Sequence, residues 1–259
     1  MAAQPTARLR KICLALPEAE EKEAWGDPTF RVRDKIFAME KRGDGRVSIW
    51  CKAPEGSQMV LVGADPERFF VPPYVGPKGW LGVNLDKGLS WKRIAVLVRE
   101  AYERVAPPKL AAKIGKTIEI KPPTAKLSAT EIDPMKSKRA QSVLKRLRQI
   151  GHRWPDVEDG TQFGAPVLKA GGRTFASAYY NDKRLTLSFW VGVDKQGLLT
   201  SDERFSIPKY IGHNGWIQLD VEKSCDWDEI RVLALESYRH FASRKMLAAM
   251  EPSATKRTS

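Results

Sequence analysis

A 13-residue block occurs twice in this chain, at 68–80 and again at 204–216. Seven of its 13 positions hold the same residue in both places, whereas about one match is expected by chance among ~20 residue types. The identical pairs are Arg68/Arg204, Phe69/Phe205, Pro72/Pro208, Tyr74/Tyr210, Gly76/Gly212, Gly79/Gly215 and Trp80/Trp216. The chain is therefore one module written twice, which constrains both the number of domains and their fold.

The similarity extends beyond the block at a nearly constant spacing. Trp25-Gly26-Asp27-Pro28 corresponds to Phe163-Gly164-Ala165-Pro166 at an offset of 138 residues, and from Arg68 onward the offset is 136. Pro pairs with neighbouring Lys, Thr and Ser separate the copies and are typical of an extended, solvated tether. The predicted boundaries are 1–106 for the first copy, 107–137 for a basic linker, 138–246 for the second copy and 247–259 for a tail.

Each copy has the same order of predicted elements. Apolar residues at helical spacing predict an opening helix in each copy, with Thr6 as the N-cap of the first and Gly151 at the end of the second. Short strands follow, separated by polar turns at Arg33-Asp34 and Gly171-Gly172. Asp226 is expected to cap the last helix in a capping box. The order α-β-β-β-(α)-β-β-α predicts an α+β fold of two tandem domains, each a mainly antiparallel sheet with its N- and C-terminal helices packed on one face.

The chain is strongly basic, with a formal net charge of +13. Such an excess of Lys and Arg attracts polyanions, nucleic acid among them. The Cys and His residues show no ligand spacing, so we expect no metal and no cofactor. No apolar run approaches the length of a membrane span or a signal-peptide core, and we expect a cytoplasmic protein with no membrane partner.

The motifs resemble those of the MmcQ/YjbR family. The resemblance rests on Ala24-Trp-Gly-Asp-Pro-Thr-Phe30, on Ser48-Ile-Trp50 and on the block that ends at Trp80, and it covers 8–106 and, less closely, 140–242. It implies a frataxin-like (CyaY-like) fold and DNA binding through a double-wing arrangement of β hairpins. The second copy departs from the family pattern where Asn214 stands in place of Lys78.

Basic residues on the predicted hairpins and in the repeated block are the candidate phosphate contacts, because phosphates recognise charge more than shape. They are Arg31, Arg33, Lys35, Lys41, Arg42, Arg46, Lys78, Lys169, Arg173, Lys183, Arg184 and Lys209. The aromatic residues of the block are either base-stacking or structural: Tyr74, Trp80, Tyr210 and Trp216. No arrangement typical of a catalytic site is present, so a non-catalytic protein is expected.

The sequence predicts a protein that binds nucleic acid, duplex DNA above all, through basic β hairpins. The alternative is a small-molecule or protein-binding module that uses the Tyr74–Trp80 loop or a cleft between the copies. The duplication is compatible with a monomer that acts as an intramolecular pseudo-dimer, and the oligomeric state stays open.

Overall fold

The computed structural model describes residues 4–43, 45–116, 120–181 and 184–250. The chain divides into two compact units, Met1–Pro134 and Met135–Ser259. The described residues of each unit form a six-stranded antiparallel sheet with flanking helices, which confirms the predicted α+β class and its duplication.

The first unit begins with helix α1, and strand order along its sheet is β1-β2-β3-β4-β6-β5. Its elements are α1 (Pro5–Leu14), β1 (Glu20–Ala24), β2 (Asp27–Val32), β3 (Lys35–Gly43), β4 (Arg46–Lys52), α2 (Ser57–Ala64), β5 (Phe69–Phe70), β6 (Trp80–Asn84), α3 (Trp91–Glu103), α4 (Pro108–Ala111) and α5 (Ala129–Ile132).

The second unit repeats this order, and its sheet runs β11-β12-β10-β9-β8-β7. Its elements are α6 (Lys138–Gly151), β7 (Val157–Gln162), β8 (Ala165–Ala170), β9 (Arg173–Asn181), β10 (Arg184–Trp190), α7 (Val193–Leu199), β11 (Phe205–Ser206), β12 (Trp216–Asp220), α8 (Trp227–Phe241) and α9 (Arg244–Met250).

The two-residue turns have the conformation that their hairpins require. Arg33 and Asp34 have φ of 49° and 61°, and Gly171 and Gly172 have φ of 55° and 81°. Positive φ at both central positions is the property of the type I′ turn, which matches the twist of antiparallel strands. The predicted turns are therefore confirmed in both units.

A tyrosine of the last long helix organises each core. Tyr102 donates to the Pro17 carbonyl at 2.6 Å, and Tyr238 donates to the Pro155 carbonyl at 2.8 Å. Both phenol rings are buried, and each meets a strand phenylalanine edge-on at a centroid distance of 5.4 Å or 5.5 Å. These buried hydroxyls have partners, as buried hydroxyls require, and they explain why both tyrosines and both prolines recur at matched positions.

Two local predictions were wrong, and two strands were not predicted. Thr6 is not an N-cap: Gln4 holds that position, and Pro5 begins the helix, because proline fits the first turn where its missing N–H costs nothing. The strands β1 and β7 were not predicted, because Glu-Glu-Lys-Glu-Ala and Val-Glu-Asp-Gly-Thr-Gln show no apolar alternation. Both are edge strands, where charged residues are common.

The predicted capping box of the last long helix is incomplete. Asp226 caps α8, but both Glu229 oxygens accept from Arg204.

The segment after the first copy also differs from its prediction. It is not an extended, solvated tether over its described residues, since Leu110 of α4 is buried in the first core. Further apolar residues of the segment pack on the same core: Ile114, Ile120 and Leu127. The tether was predicted from the lysine and proline content of this segment, whereas its packing depends on a few apolar side chains.

Candidate functional site

Strand direction places two turns and one helix start at the same end of the first sheet. We call this the α3 end, and it comprises the β1–β2 turn at 25–27, the β3–β4 hairpin from Arg42 to Arg46 and the segment from Leu85 to Arg93. Two contacts establish it: the Leu85 N–H donates to the Val47 carbonyl at 2.9 Å, and Asp27 accepts from the ammonium group of Lys41. The equivalent α8 end of the second unit comprises Arg184 and Val221–Glu229.

The predicted phosphate-binding residues are divided between the two ends of each sheet. Strand β3 has 9 residues, so its ends are roughly 26 Å apart. The residues near the α3 and α8 ends are Lys41, Arg42, Arg46 and Arg184, while those at the opposite ends are Arg31, Arg33, Lys35, Lys78, Lys169, Arg173 and Lys209. Lys183 lies outside the described residues. Within one unit, a single flat interface cannot use all of them.

Several of these cations already have carboxylate partners. Arg33 pairs with Glu18 at 2.7 Å, Arg42 with Glu40 at 2.7 Å, and Arg184 with Asp220 at 3.1 Å. Lys41 pairs with Asp27. The charge conserved at Arg31 and Lys169 also has a structural explanation, because each lies directly opposite a glutamate of the neighbouring edge strand.

The α3 end gathers cations that are less fully compensated. The Arg68 side chain donates to the Lys87 carbonyl at 3.0 Å, which holds its guanidinium beside the start of α3. Arg68 also pairs with Asp65 at 2.9 Å. Lys92 and Arg93 occupy the first turn of α3 after the cap Ser90. Within the described part of the chain, no ion pair is found for Lys87, Lys92 or Arg93.

The same place in the second unit carries the opposite charge. Trp91 corresponds to Trp227, so Asp228 and Glu229 stand where Lys92 and Arg93 stand in the first unit. Glu229 accepts from both terminal nitrogens of Arg204, at 2.9 Å and 3.1 Å. Arg204 also binds Asp202, and those hydrogen bonds lower the pKa of the aspartate. The second unit therefore neutralises its repeated arginine from two sides.

The charge at this helix start is inverted between the two units. In the second unit Glu229 binds Arg204. The corresponding residues of the first unit are Arg93 and Arg68, which are both cations. Cations in the first turn of a helix are also unfavourable, because the helix dipole is positive there. A departure from local preference of this kind is expected where function requires it. The helix start at the α3 end therefore carries two cations, Lys92 and Arg93, where that at the α8 end carries two carboxylates, Asp228 and Glu229.

The repeated block itself is held by a glutamine that the sequence prediction missed. Gln58 donates to the carbonyls of Gly76 and Trp80, and Gln196 donates to those of Gly212 and Trp216. The glutamines are identical residues at an offset of 138, which is the signal that was available. The block is therefore fixed by the fold in both units.

The block's aromatic residues fall into two classes. Trp80 and Trp216 are half-buried, and Trp216 stacks on Phe241 at a centroid distance of 5.7 Å. Tyr74 and Tyr210 are exposed for 66% and 61% of their surface. Packing thus explains why a tryptophan stands at position 216, while the side chains of Tyr74 and Tyr210 are accessible to solvent.

A second pair of exposed aromatic residues was not predicted as functional. Trp25 and Phe163 begin the β1–β2 and β7–β8 turns with φ of 56° and 52°. They are exposed for 62% and 79% of their surface. An aromatic residue followed by glycine at matched positions was the signal in the sequence.

The cysteines give no sign of a reactive or metal-binding site. Burial raises the pKa of Cys51 to about 12, and Cys13 is buried with a raised pKa as well. Over the described ranges, no cluster of three or more His, Cys, Asp or Glu residues could hold a metal ion. Within the same ranges, no helix has the length and apolar character needed to cross a membrane.

The chain is a two-domain α+β protein with paired hairpins beside a basic helix start in one domain. A YjbR family model matches residues 14–104 and again 152–240, which is more than half of the chain. The chain therefore belongs to the YjbR family, in two tandem copies. This confirms the family to which its motifs were assigned.

Among solved structures, the chain is similar to a Deinococcus radiodurans protein with a DUF419 domain. The two share 20% sequence identity with a TM-score of 0.36, over 39% of this chain and 78% of the other. No curated protein matches the chain by sequence.

Proposed function

We propose that this chain binds nucleic acid through phosphate contacts at the α3 end of its first unit, with duplex DNA as the primary ligand. The observation that carries the proposal is a difference between the two units. Where the second unit has Glu229, which binds Arg204, the first unit has Arg93. In the second unit Arg204 is bound by Asp202 and by Glu229. In the first unit Arg68 pairs with Asp65, and Arg93 stands at the position of Glu229. Phosphate oxygens would supply the missing negative charge.

The cations of this interface are Arg46, Arg68, Lys87, Lys92 and Arg93. The Arg46 guanidinium carbon lies 4.5 Å from the centroid of the Phe70 ring, which orders its side chain on the β3–β4 hairpin. Since Leu85 bonds to Val47, the segment with Lys87 runs beside that hairpin. The arrangement places positive charge at one end of the sheet and includes no element that reads base edges in a groove, so we expect little sequence preference.

The salt dependence of binding tests the proposal on the full chain. With four to five phosphate contacts, the logarithm of the association constant should fall with the logarithm of salt concentration at a slope of about −4. Fluorescence anisotropy of a labelled duplex measures this slope. Absent binding at low salt, or an affinity that does not change with salt, would refute the proposal.

The anisotropy titration, together with a melting-temperature measurement, separates this proposal from a small-molecule or protein-binding module at the Tyr74–Trp80 loop. Such a module would show a ligand-dependent rise in melting temperature and no response to duplex DNA. The protein is also proposed to act without a catalytic step.

A further inference from the structure

The turn between β1 and β2 holds a side chain that the hairpin alone does not favour. Trp25 has φ of 56°, in the left-handed region where non-glycine residues other than Asn and Asp are uncommon. Turns of this type prefer Asn-Gly or Asp-Gly, and here the second residue, Gly26, fits with φ of 77°. The tryptophan is therefore retained against the local backbone preference.

Burial does not compensate for that backbone conformation. The Trp25 side chain is 62% exposed, so most of its apolar surface faces solvent. Its position does adjoin the α3 end, because the next strand residue, Asp27, pairs with Lys41 of β3. The Arg42 side chain also acts electrostatically on the Asp27 carboxylate. An exposed indole thus stands at the α3 end, next to the hairpin that carries Arg42 and Arg46.

We propose that Trp25 stacks on an unpaired base of the nucleic acid held at the α3 end. This inference rests on the proposed function, which supplies the phosphate contacts, and it adds DNA with accessible bases to the ligands of the same surface. Proteins hold single strands with little sequence preference by combining aromatic rings that stack on bases with cations that follow the backbone, and the α3 end has both. A fully paired duplex offers Trp25 no free base face.

Phe163 provides a matched control within the same chain. It occupies the equivalent turn with the same backbone conformation and is 79% exposed, but it belongs to the unit whose equivalent helix start carries Asp228 and Glu229. Stacking without nearby phosphate contacts contributes little, so Phe163→Ala should leave binding nearly unchanged.

The test compares a single-stranded thymine homopolymer with a duplex of the same length, bound by the full chain at low salt. Trp25→Ala is expected to weaken single-strand binding by about 5- to 150-fold, the range that corresponds to the loss of one base–aromatic stack. Duplex binding should change much less, and Trp25→Phe should restore most of the lost single-strand affinity.

A second variant guards against a folding artefact. Trp25→Asn places a turn-favoured residue at this position, so its melting temperature should equal or exceed that of the parent while its single-strand affinity falls. Single-strand affinity unchanged in both Trp25→Ala and Trp25→Asn would overturn the inference. Equal losses for duplex and single strand would overturn it too.

The outcomes distinguish this inference from the function on which it rests. If the parent protein binds neither DNA form, the proposed function itself fails. If the parent binds DNA through its cations but Trp25→Ala has no effect, only the stacking inference fails. Vesicles rich in phosphatidylserine test a membrane surface. If Trp25→Ala lost vesicle binding but kept its single-strand DNA affinity, the inference would be overturned in favour of a membrane surface.

Discussion

The double variant Lys92→Asp, Arg93→Glu should separate DNA binding from stability, because it installs the residues of the second unit in the first. The cap Ser90 already accepts a hydrogen bond from the Arg93 N–H, and a glutamate at this position would place a negative charge in the first turn of α3. It would also stand where Glu229 binds Arg204, within the proposed reach of Arg68.

The expected gain in stability follows from these contacts. Each acidic residue in the first turn of a helix contributes about 0.3–1 kcal/mol, and one exposed ion pair contributes about 0.2–1 kcal/mol. A total of about 1–3 kcal/mol would raise the melting temperature of the first unit by roughly 3–15 °C.

The expected loss in binding has the opposite direction. Two phosphate contacts disappear, and a third is weakened if the introduced glutamate engages Arg68, so the salt slope should become less steep by about two to three. Anisotropy titrations with a labelled duplex across a range of salt concentrations measure the slope, and differential scanning fluorimetry measures the melting temperature.

A control variant carries the same change in net charge at the other end of the first sheet. Lys35→Asp, Lys78→Glu should lower affinity only through long-range electrostatics and should leave the slope close to that of the parent. The reasoning would be refuted if Lys92→Asp, Arg93→Glu kept the parental slope, or if the control lost as many contacts.

Four further predictions concern the fold. Gln196→Leu leaves two loop carbonyls without their donor and should cost about 1–3 kcal/mol in urea unfolding. Tyr102→Phe removes the hydrogen bond to Pro17 and should cost about 1–2 kcal/mol by the same measurement. Burial raises the pKa of Glu40 above its ordinary value of 4.5 even though Arg42 pairs with it. The stability present below that value is therefore lost as pH rises through the folded-state pKa. The stability of Glu40→Gln relative to the parent should accordingly increase as pH rises above about 4.5. Cys51, with its pKa raised by burial to about 12, should resist iodoacetamide until the protein unfolds, as mass spectrometry of native and denatured samples would show.

Much of the fold followed from the duplication itself. Two copies allowed each element to be checked against its equivalent, and Gly171-Gly172 identified a turn that Arg33-Asp34 alone does not. The edge strand Glu20–Ala24 was missed because its side chains carry no apolar alternation, and only its backbone pairing with β2 reveals it.

The site was less accessible to sequence reasoning. Alignment of Trp91 with Trp227 already places Arg93 opposite Glu229, but the meaning of that change depends on a neighbour 25 residues away, Arg204, that only the fold brings close. Charge counting likewise selected Arg33 and Arg42 without their carboxylate partners. The exposure of Trp25 was also hidden, because tryptophan is more often packed than presented to solvent.

Lysine footprinting of the full chain on duplex DNA tests the central claim most directly. Acetylation followed by mass spectrometry would compare Lys87 and Lys92 at the α3 end with two lysines of the second unit, Lys223 and Lys209. The account predicts that bound DNA protects Lys87 and Lys92 and leaves Lys223 and Lys209 as reactive as in the free protein. Protection of Lys223 and Lys209 with Lys87 and Lys92 unchanged would contradict it.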